Sequence, residues 1–240
     1  MPKHSDNSSS KTSLFKISDS NSDFNFVESF NTLAVNLKYS ANNVNRILFT
    51  SSSPSEGKTT ISVNSAIALA NQGNKVLLCD CDLRKPKVRK FFPGLTKPGL
   101  TTYVVGDLPY ENLIQKTEIE GLDVITSGKV PPSPTRILMS KEMGELIEKV
   151  STLYDWIIFD TPPINLVTDA TVLLKYNVAA ILIADQRDGN MQILGKAIDT
   201  LKFANANILG IVVNNAPAEF RYGYASKYKY KYKYKYYSYK

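Results

Sequence analysis

The sequence holds one histidine, His4, and two cysteines, Cys79 and Cys81. That scarcity excludes a fold stapled by disulfides and leaves no Cys/His set with zinc-ligand spacing. The two cysteines are expected to point to opposite faces of a strand and to stay free, as small apolar residues in a reducing compartment. No apolar run reaches the roughly 20 residues that span a bilayer. Met1 to Ser13 is polar and has no apolar secretion-signal core. A soluble, cytoplasmic protein is expected, peripheral to a membrane only through a partner. The excess charge sits in one stretch: Arg221 to Lys240 carries six lysines, one arginine and no acidic side chain. Removing those 7 from the 29 basic residues leaves 22, equal to the 22 acids. The body is therefore neutral, which argues against a sequence-specific nucleic-acid partner, although the tail alone suits polyanions.

What is present is enough for a core. Hydrophobic residues make up 43% of the 240 and charged residues 21%, ordinary values for a globular domain. Residues 1–24 are polar and read as a flexible arm that contains His4, with no catalytic role. Phe26, Phe30, Leu33 and Leu37 recur at helical spacing within 26–40. Strands are expected at Arg46–Ser51, Lys75–Asp82, Leu122–Thr126, Trp156–Asp160, Ala179–Ala184 and Leu209–Asn214. Helices are expected at Lys58–Asn71, Thr135–Leu153, Asp169–Tyr176 and Met191–Ala204. Short continuous apolar runs alternating with helices predict an α/β fold: a doubly wound, mostly parallel sheet with helices on both faces. One domain, 25–218, is followed by a Tyr/Lys-rich tail, 219–240, expected to be disordered.

The first strand runs into Ser52-Ser53-Pro54-Ser55-Glu56-Gly57-Lys58-Thr59-Thr60 and then a helical pattern. This is the strand–loop–helix context of a P-loop, with Ser52 where the consensus has its first glycine. Gly57 lets backbone N–H groups turn toward phosphates, and the helix N-terminus adds its dipole. Lys58 suits the β- and γ-phosphates of ATP, and the Thr59 hydroxyl suits Mg²⁺. The expected nucleotide contacts are therefore Ser53 to Thr60. The second strand ends Cys79-Asp80-Cys81-Asp82-Leu83-Arg84-Lys85. Period two puts Asp80 and Asp82 on one face. Buried carboxylates need a cation, and Mg²⁺ beside ATP is the natural one. Trp156-Ile157-Ile158-Phe159-Asp160 is a Walker B pattern: four apolar residues, then an acid.

Together these segments resemble the bacterial tyrosine kinases of capsule and exopolysaccharide production, over about Phe26 to Asn215. The carriers are S-x-x-P-x-E-G-K-T-T, L-L-C-D-C-D-L-R-K-P, I-I-F-D-T-P-P, the Pro-rich Gly128–Pro134 and the C-terminal tyrosines. Septum-site and partitioning ATPases share the carboxylates, but their loops carry a lysine at the position of Ser53. The family's helix before the first strand reads E-x-x-R-x-x-R-x-N and builds a ring. Here Glu28 and Asn36 remain, while Asn31 and Ala34 stand at the arginine positions. Neither replaces an arginine's bidentate pairing, so the resemblance leaves a homo-oligomer open. It also implies a membrane-embedded activator of the polysaccharide co-polymerase kind, as in the split form of these kinases. Tyrosine-containing protein substrates and a cognate tyrosine phosphatase are implied as well.

The implied reaction moves the ATP γ-phosphoryl group to a tyrosine hydroxyl. Lys58, Asp80, Asp82 and Asp160 are the candidate catalytic residues; Thr59, Asp82 and Asp160 are the candidate Mg²⁺ ligands. Asp80 is the candidate base, with the division between Asp80 and Asp82 open. Asn214 matches the adenine-reading position of this class and is also ordinary turn chemistry. Arg84 and Lys85 suit phosphate, a neighbouring subunit or solvent, and Arg187 suits the nucleotide rim or a surface loop. The tail offers Tyr222, Tyr224, Tyr228, Tyr230, Tyr232, Tyr234, Tyr236, Tyr237 and Tyr239 as acceptors. It also suits single-stranded nucleic acid or anionic lipid as a binding element, or simply solubility. Two function classes stand: the kinase, and an assembly ATPase that passes phosphate to water.

Overall fold

The computed structural model of the protein describes residues 16–19, 22–41, 44–96, 98–188 and 190–217. His4 and the tail tyrosines lie outside the described residues. In chain order the elements are α1 (Phe24–Ser40), β1 (Arg46–Ser51), α2 (Lys58–Asn71), β2 (Val76–Asp80), α3 (Leu100–Val104), β3 (Gln115–Lys116) and β4 (Leu122–Ile125). Then come α4 (Pro134–Met139), α5 (Lys141–Ser151), β5 (Trp156–Asp160), α6 (Asp169–Leu173), β6 (Ala179–Asp185), α7 (Met191–Phe203) and β7 (Asn207–Asn214). The strands form a seven-stranded sheet in the order β3-β4-β2-β5-β1-β6-β7. Every pairing is parallel except β3 with β4. The doubly wound, mostly parallel sheet expected from the sequence is therefore the fold.

The apolar runs divide by period two between two cores, one on each face. Ile47, Phe49, Val76, Leu78 and Ile158 pack with α1 and α2. Leu48, Leu77, Cys79, Ile157 and Phe159 pack with α5, α6 and α7. Burial on both faces removes the polar alternation of a half-exposed strand, so these runs read as continuously apolar. The cysteines correct one expectation. Residues i and i+2 share a strand face, and Cys79 and Cys81 lie in the same core cluster, both free. Burial pushes both thiols well above the usual range, with the Asp80 carboxylate adding to the shift at Cys79 and the neighbouring Cys79 at Cys81. They are inert packing groups.

Three elements depart from the sequence pattern. The helix expected over Thr135–Leu153 is two helices broken at Ser140, whose extended backbone (φ −65°, ψ 161°) closes α4 and opens α5. The Ser140 hydroxyl accepts from the Met143 N–H at 3.1 Å, so a local side-chain cap wins over continued helix. Strand β3, of two residues, and α3, of five, are too short for a periodic signal. Within the arm, Ile17 is buried in the α1–α2 core and its N–H donates to Asn64 Oδ1 on α2 at 2.8 Å. No helix among the described residues is long and apolar enough to cross a membrane.

Candidate active site

Register alone gathers the acids. In β2 and β5 the last residues, Asp80 and Asp160, are direct partners, and Asp160 also pairs with Phe49 of β1. The loop from β1 to α2 therefore passes over two carboxylates. Residues 52–57 wrap around a buried glutamate: Glu56 accepts from the Ser52 hydroxyl and the Ser53 N–H, both at 2.7 Å. Ser55 (φ 67°) and Gly57 (φ 88°) take left-handed backbone, which turns the loop into the helix. Helices α1, α5 and α7 begin with a side chain capping their first N–H groups; α2 begins at Gly57 with no side-chain cap. Its leading amides stay available to an anion.

Lys58 and Thr59 point back under this turn. Lys58 Nζ donates to Asp160 Oδ1 at 2.8 Å and lies 3.8 Å from Asp82 Oδ2. The Thr59 hydroxyl donates to Asp160 Oδ2 at 2.8 Å. Asp82, just beyond β2, also accepts from the Lys85 N–H at 3.0 Å. Asp80 accepts from the Val88 N–H through Oδ2 at 3.1 Å, while its buried Oδ1 has no partner. Burial, then the charge of Asp160, pushes the Asp80 carboxyl well above the usual range, with Lys58 opposing. Three buried carboxyl groups thus surround one ammonium, a cluster short of positive charge.

That deficit fits a divalent cation. Among the described residues no three His, Cys, Asp or Glu side chains close around one point as a complete metal cage. Mg²⁺ needs no such cage: it takes one or two carboxylates and fills its shell with phosphate oxygens and water. Thr59, Asp82 and Asp160 suit that arrangement. The unpaired Asp80 Oδ1 and the uncapped amides are the polar groups that a magnesium nucleotide would satisfy.

The remaining sequence candidates are placed as follows. Ser53 and Pro54 form the outer turn of the loop, and Thr60 lies in the first turn of α2. Asn214, the last residue of β7, donates through Nδ2 to the Glu56 carbonyl at 3.0 Å and lies against Gly57. Arg84 forks onto the fully buried Asp169, with contacts of 2.7 and 3.2 Å. Arg187 forks onto Asp185 at the end of β6, and that hydrogen bond is the main reason the Asp185 carboxyl sits below the usual range.

Two positioning residues escaped the sequence. Asn165, after β5, donates to the Ser52 carbonyl at 3.0 Å and to the Ile193 carbonyl at 2.9 Å, tying the loop to α7. Asp169 also accepts from the Thr135 hydroxyl at 2.6 Å, so with Arg84 it joins the post-β2 turn to α4 and α6. The Asn that follows D-T-P-P-I was a signal for the first; only the fold supplies the second. An open bowl of about 900 Å³ bordered by Lys75, Lys116 and Gly121 lies at the amino ends of β2 and β4. It is at the wrong end of the sheet for this chemistry.

A family model described as an AAA domain matches residues 46–207. The chain is 35% identical to the tyrosine-protein kinase YwqD of Bacillus subtilis, over 82% of this chain and 85% of that protein. Among solved structures it is similar to the chimerical protein CapA2B2, with a TM-score of 0.76 and 33% identity over 79% of this chain and 84% of that one. The septum site-determining protein MinD from Pyrococcus horikoshii, solved with Mg-ADP, is more distant: TM-score 0.61 and 25% identity over 74% of this chain and 75% of that one. The P-loop over paired carboxylates, carried on this strand order and matched over most of the chain, places the protein in its family: it belongs to the bacterial tyrosine-protein kinases.

Proposed function

We propose that the chain transfers the γ-phosphoryl group of ATP to tyrosine hydroxyls, those of its own tail included, through the cluster of Lys58, Thr59, Asp80, Asp82 and Asp160. The observation that carries this is Lys58 Nζ, 2.8 Å from Asp160 and 3.8 Å from Asp82, at the uncapped start of α2. The amides at Gly57 to Thr60 and the Lys58 ammonium bind and orient the phosphates. Thr59, Asp82 and Asp160 would hold Mg²⁺. When bound, the ion supplies the positive charge that offsets the charge on the phosphoryl oxygens. Asp160 aims both Lys58 and Thr59, since each of its oxygens takes one of them. Asp80 keeps Oδ1 unpaired and accepts the tyrosine proton there. Asn214, against the loop, borders the adenine side.

The phosphoacceptors in this reading are Tyr222, Tyr224, Tyr228, Tyr230, Tyr232, Tyr234, Tyr236, Tyr237 and Tyr239, on a tail that a second copy's site also reaches. The kinase regulates capsule or exopolysaccharide synthesis. It works in the cytoplasm, with a membrane-embedded activator, and a tyrosine phosphatase resets it. The nucleotide-switched ATPase reading has the MinD likeness in its favour; Ser53 and the tyrosine tail favour the kinase.

Mass spectrometry after incubation with Mg-ATP and the activating partner tests the acceptors. Phosphotyrosine is expected at several of the nine tail positions and absent from a chain ending at Ala218. Phosphotyrosine confined to residues before 218 would overturn the tail assignment.

A further inference from the structure

Strand β7 is the last in the sheet, and among the described residues nothing pairs with its outer edge. Its sequence, Asn207-Ile-Leu-Gly-Ile-Val-Val-Asn214, has no charge or proline to guard that edge. Both flanks are apolar. On one face Ile211 and Val213 are 43% and 53% exposed. On the other an open groove of about 250 Å³ runs between α1 and β7, lined mainly by Leu33, Leu37, Leu209, Gly210 and Val212, with Asn36 and Ser40 on its α1 side. A side chain at Gly210 would meet nothing within 4 Å.

The chain itself supplies a matching strand. From 222 to 236 every even position is tyrosine except Ser226, and no odd position is; Lys227, Lys229, Lys231, Lys233 and Lys235 occupy the odd ones. Period two is the side-chain period of a β-strand, and tyrosine favours strands. Asn215, directly after β7, has left-handed backbone (φ 55°), a conformation that several turn types use. Residues 215–227 are long enough to return the alternating Tyr/Lys stretch along the edge.

We propose that residues 228–235 form an eighth strand, antiparallel to β7 and equal to it in length, on the outer edge of the sheet. The tyrosines lie on the groove face, over Leu33 and Leu37. The lysine stems cover Ile211 and Val213 and keep their ammonium groups in water. Backbone pairing supplies the binding and the alternating side chains its register. The tail starts beside β7, so its effective concentration there favours it over a second copy. The consequence rests on the acceptor reading above. A phosphate on a tyrosine cannot enter an apolar groove, so phosphorylation frees the strand and uncovers the edge.

Amide hydrogen exchange by mass spectrometry tests this on the full chain, stripped of phosphate by a tyrosine phosphatase and without ATP. A Tyr230→Pro/Tyr232→Pro chain is the comparison, because proline removes the ladder donors without touching the folded body. Residues 227–236 are expected to exchange at least about tenfold slower in the parent chain, and 207–214 to be faster in the variant. Equal rates in both chains would overturn the proposal. Protection that grows with protein concentration would also overturn it, in favour of a strand from a second copy. Because no phosphoryl transfer enters this experiment, its failure leaves the acceptor reading standing. Absence of phosphotyrosine would leave the docked strand standing.

Discussion

Lys58→Met is expected to lower tyrosine phosphorylation by about 10²–10³-fold, the scale for losing one preorganised charge-stabilising group. The side chain does two jobs here. In the proposed reaction it is the ammonium for the phosphates, and in the structure it neutralises part of the cluster formed by Asp160 at 2.8 Å, Asp82 at 3.8 Å and Asp80 nearby. Methionine keeps the length and loses the charge. The abandoned carboxylates then repel one another, and removing one partner of a buried pair costs about 3–5 kcal/mol unless the acids take up protons. A drop in melting temperature should therefore accompany the loss of activity. Asp82→Asn separates the two effects. It leaves the 2.8 Å pair with Asp160 in place, so stability should fall less while activity still falls. A folded Lys58→Met chain with parent activity would remove the P-loop lysine from the mechanism.

Gly57→Ala should damage the phosphate loop with a single methyl group. Its Cβ would lie 2.1 Å from Asn214 Nδ2, and its backbone sits at φ +88°. Left-handed backbone costs an L-residue about 1–2 kcal/mol. The clash also drives Asn214 off the Glu56 carbonyl, the contact that joins β7 to the phosphate loop. Nucleotide affinity is expected to fall by about tenfold or more, equivalent to 1.4 kcal/mol. Gly73→Ala is the matched control. It has nearly the same backbone, φ +82°, but a methyl there meets nothing within 4 Å and sits at the far end of α2. It should lower stability by a similar backbone cost and leave nucleotide binding unchanged. Calorimetric titration with a non-hydrolysable ATP analogue reads both. Equal losses in the two variants would mean that strain alone, not the loop's geometry, sets affinity.

The parts of this site that come from one segment were legible in the sequence. Arg46–Ser51, Lys58–Asn71 and Trp156–Asp160 match the observed elements end for end, because each is an uninterrupted apolar or helical run closed by a polar switch. Asp80 and Asp160 were identified as strand ends, yet their direct pairing depends on the sheet order, which inserts β5 between β1 and β2. No local pattern encodes that order. Asp169 holding Arg84 was invisible for the same reason, since the two lie 85 positions apart; Asn165 was marked only by its place after D-T-P-P-I, while its hold on Ser52, 113 positions away, needs the fold. The position of Ala34 shows the converse. The family resemblance marks it as a lost arginine of the ring-forming helix, and the structure places it fully buried on the core face of α1. An arginine there would have to leave the core, so this chain uses that helix turn for packing.

The central claim is that this site gives phosphate to tyrosine rather than to water. One measurement tests it directly: phosphotyrosine formed and inorganic phosphate released, counted together in the same Mg-ATP reaction with the activating partner present. Phosphotyrosine that accounts for most of the early ATP turnover, and is lost in Lys58→Met, is the predicted result. Phosphate release that matches ATP consumed, with no phosphotyrosine, would contradict the account and make the protein a nucleotide-switched ATPase.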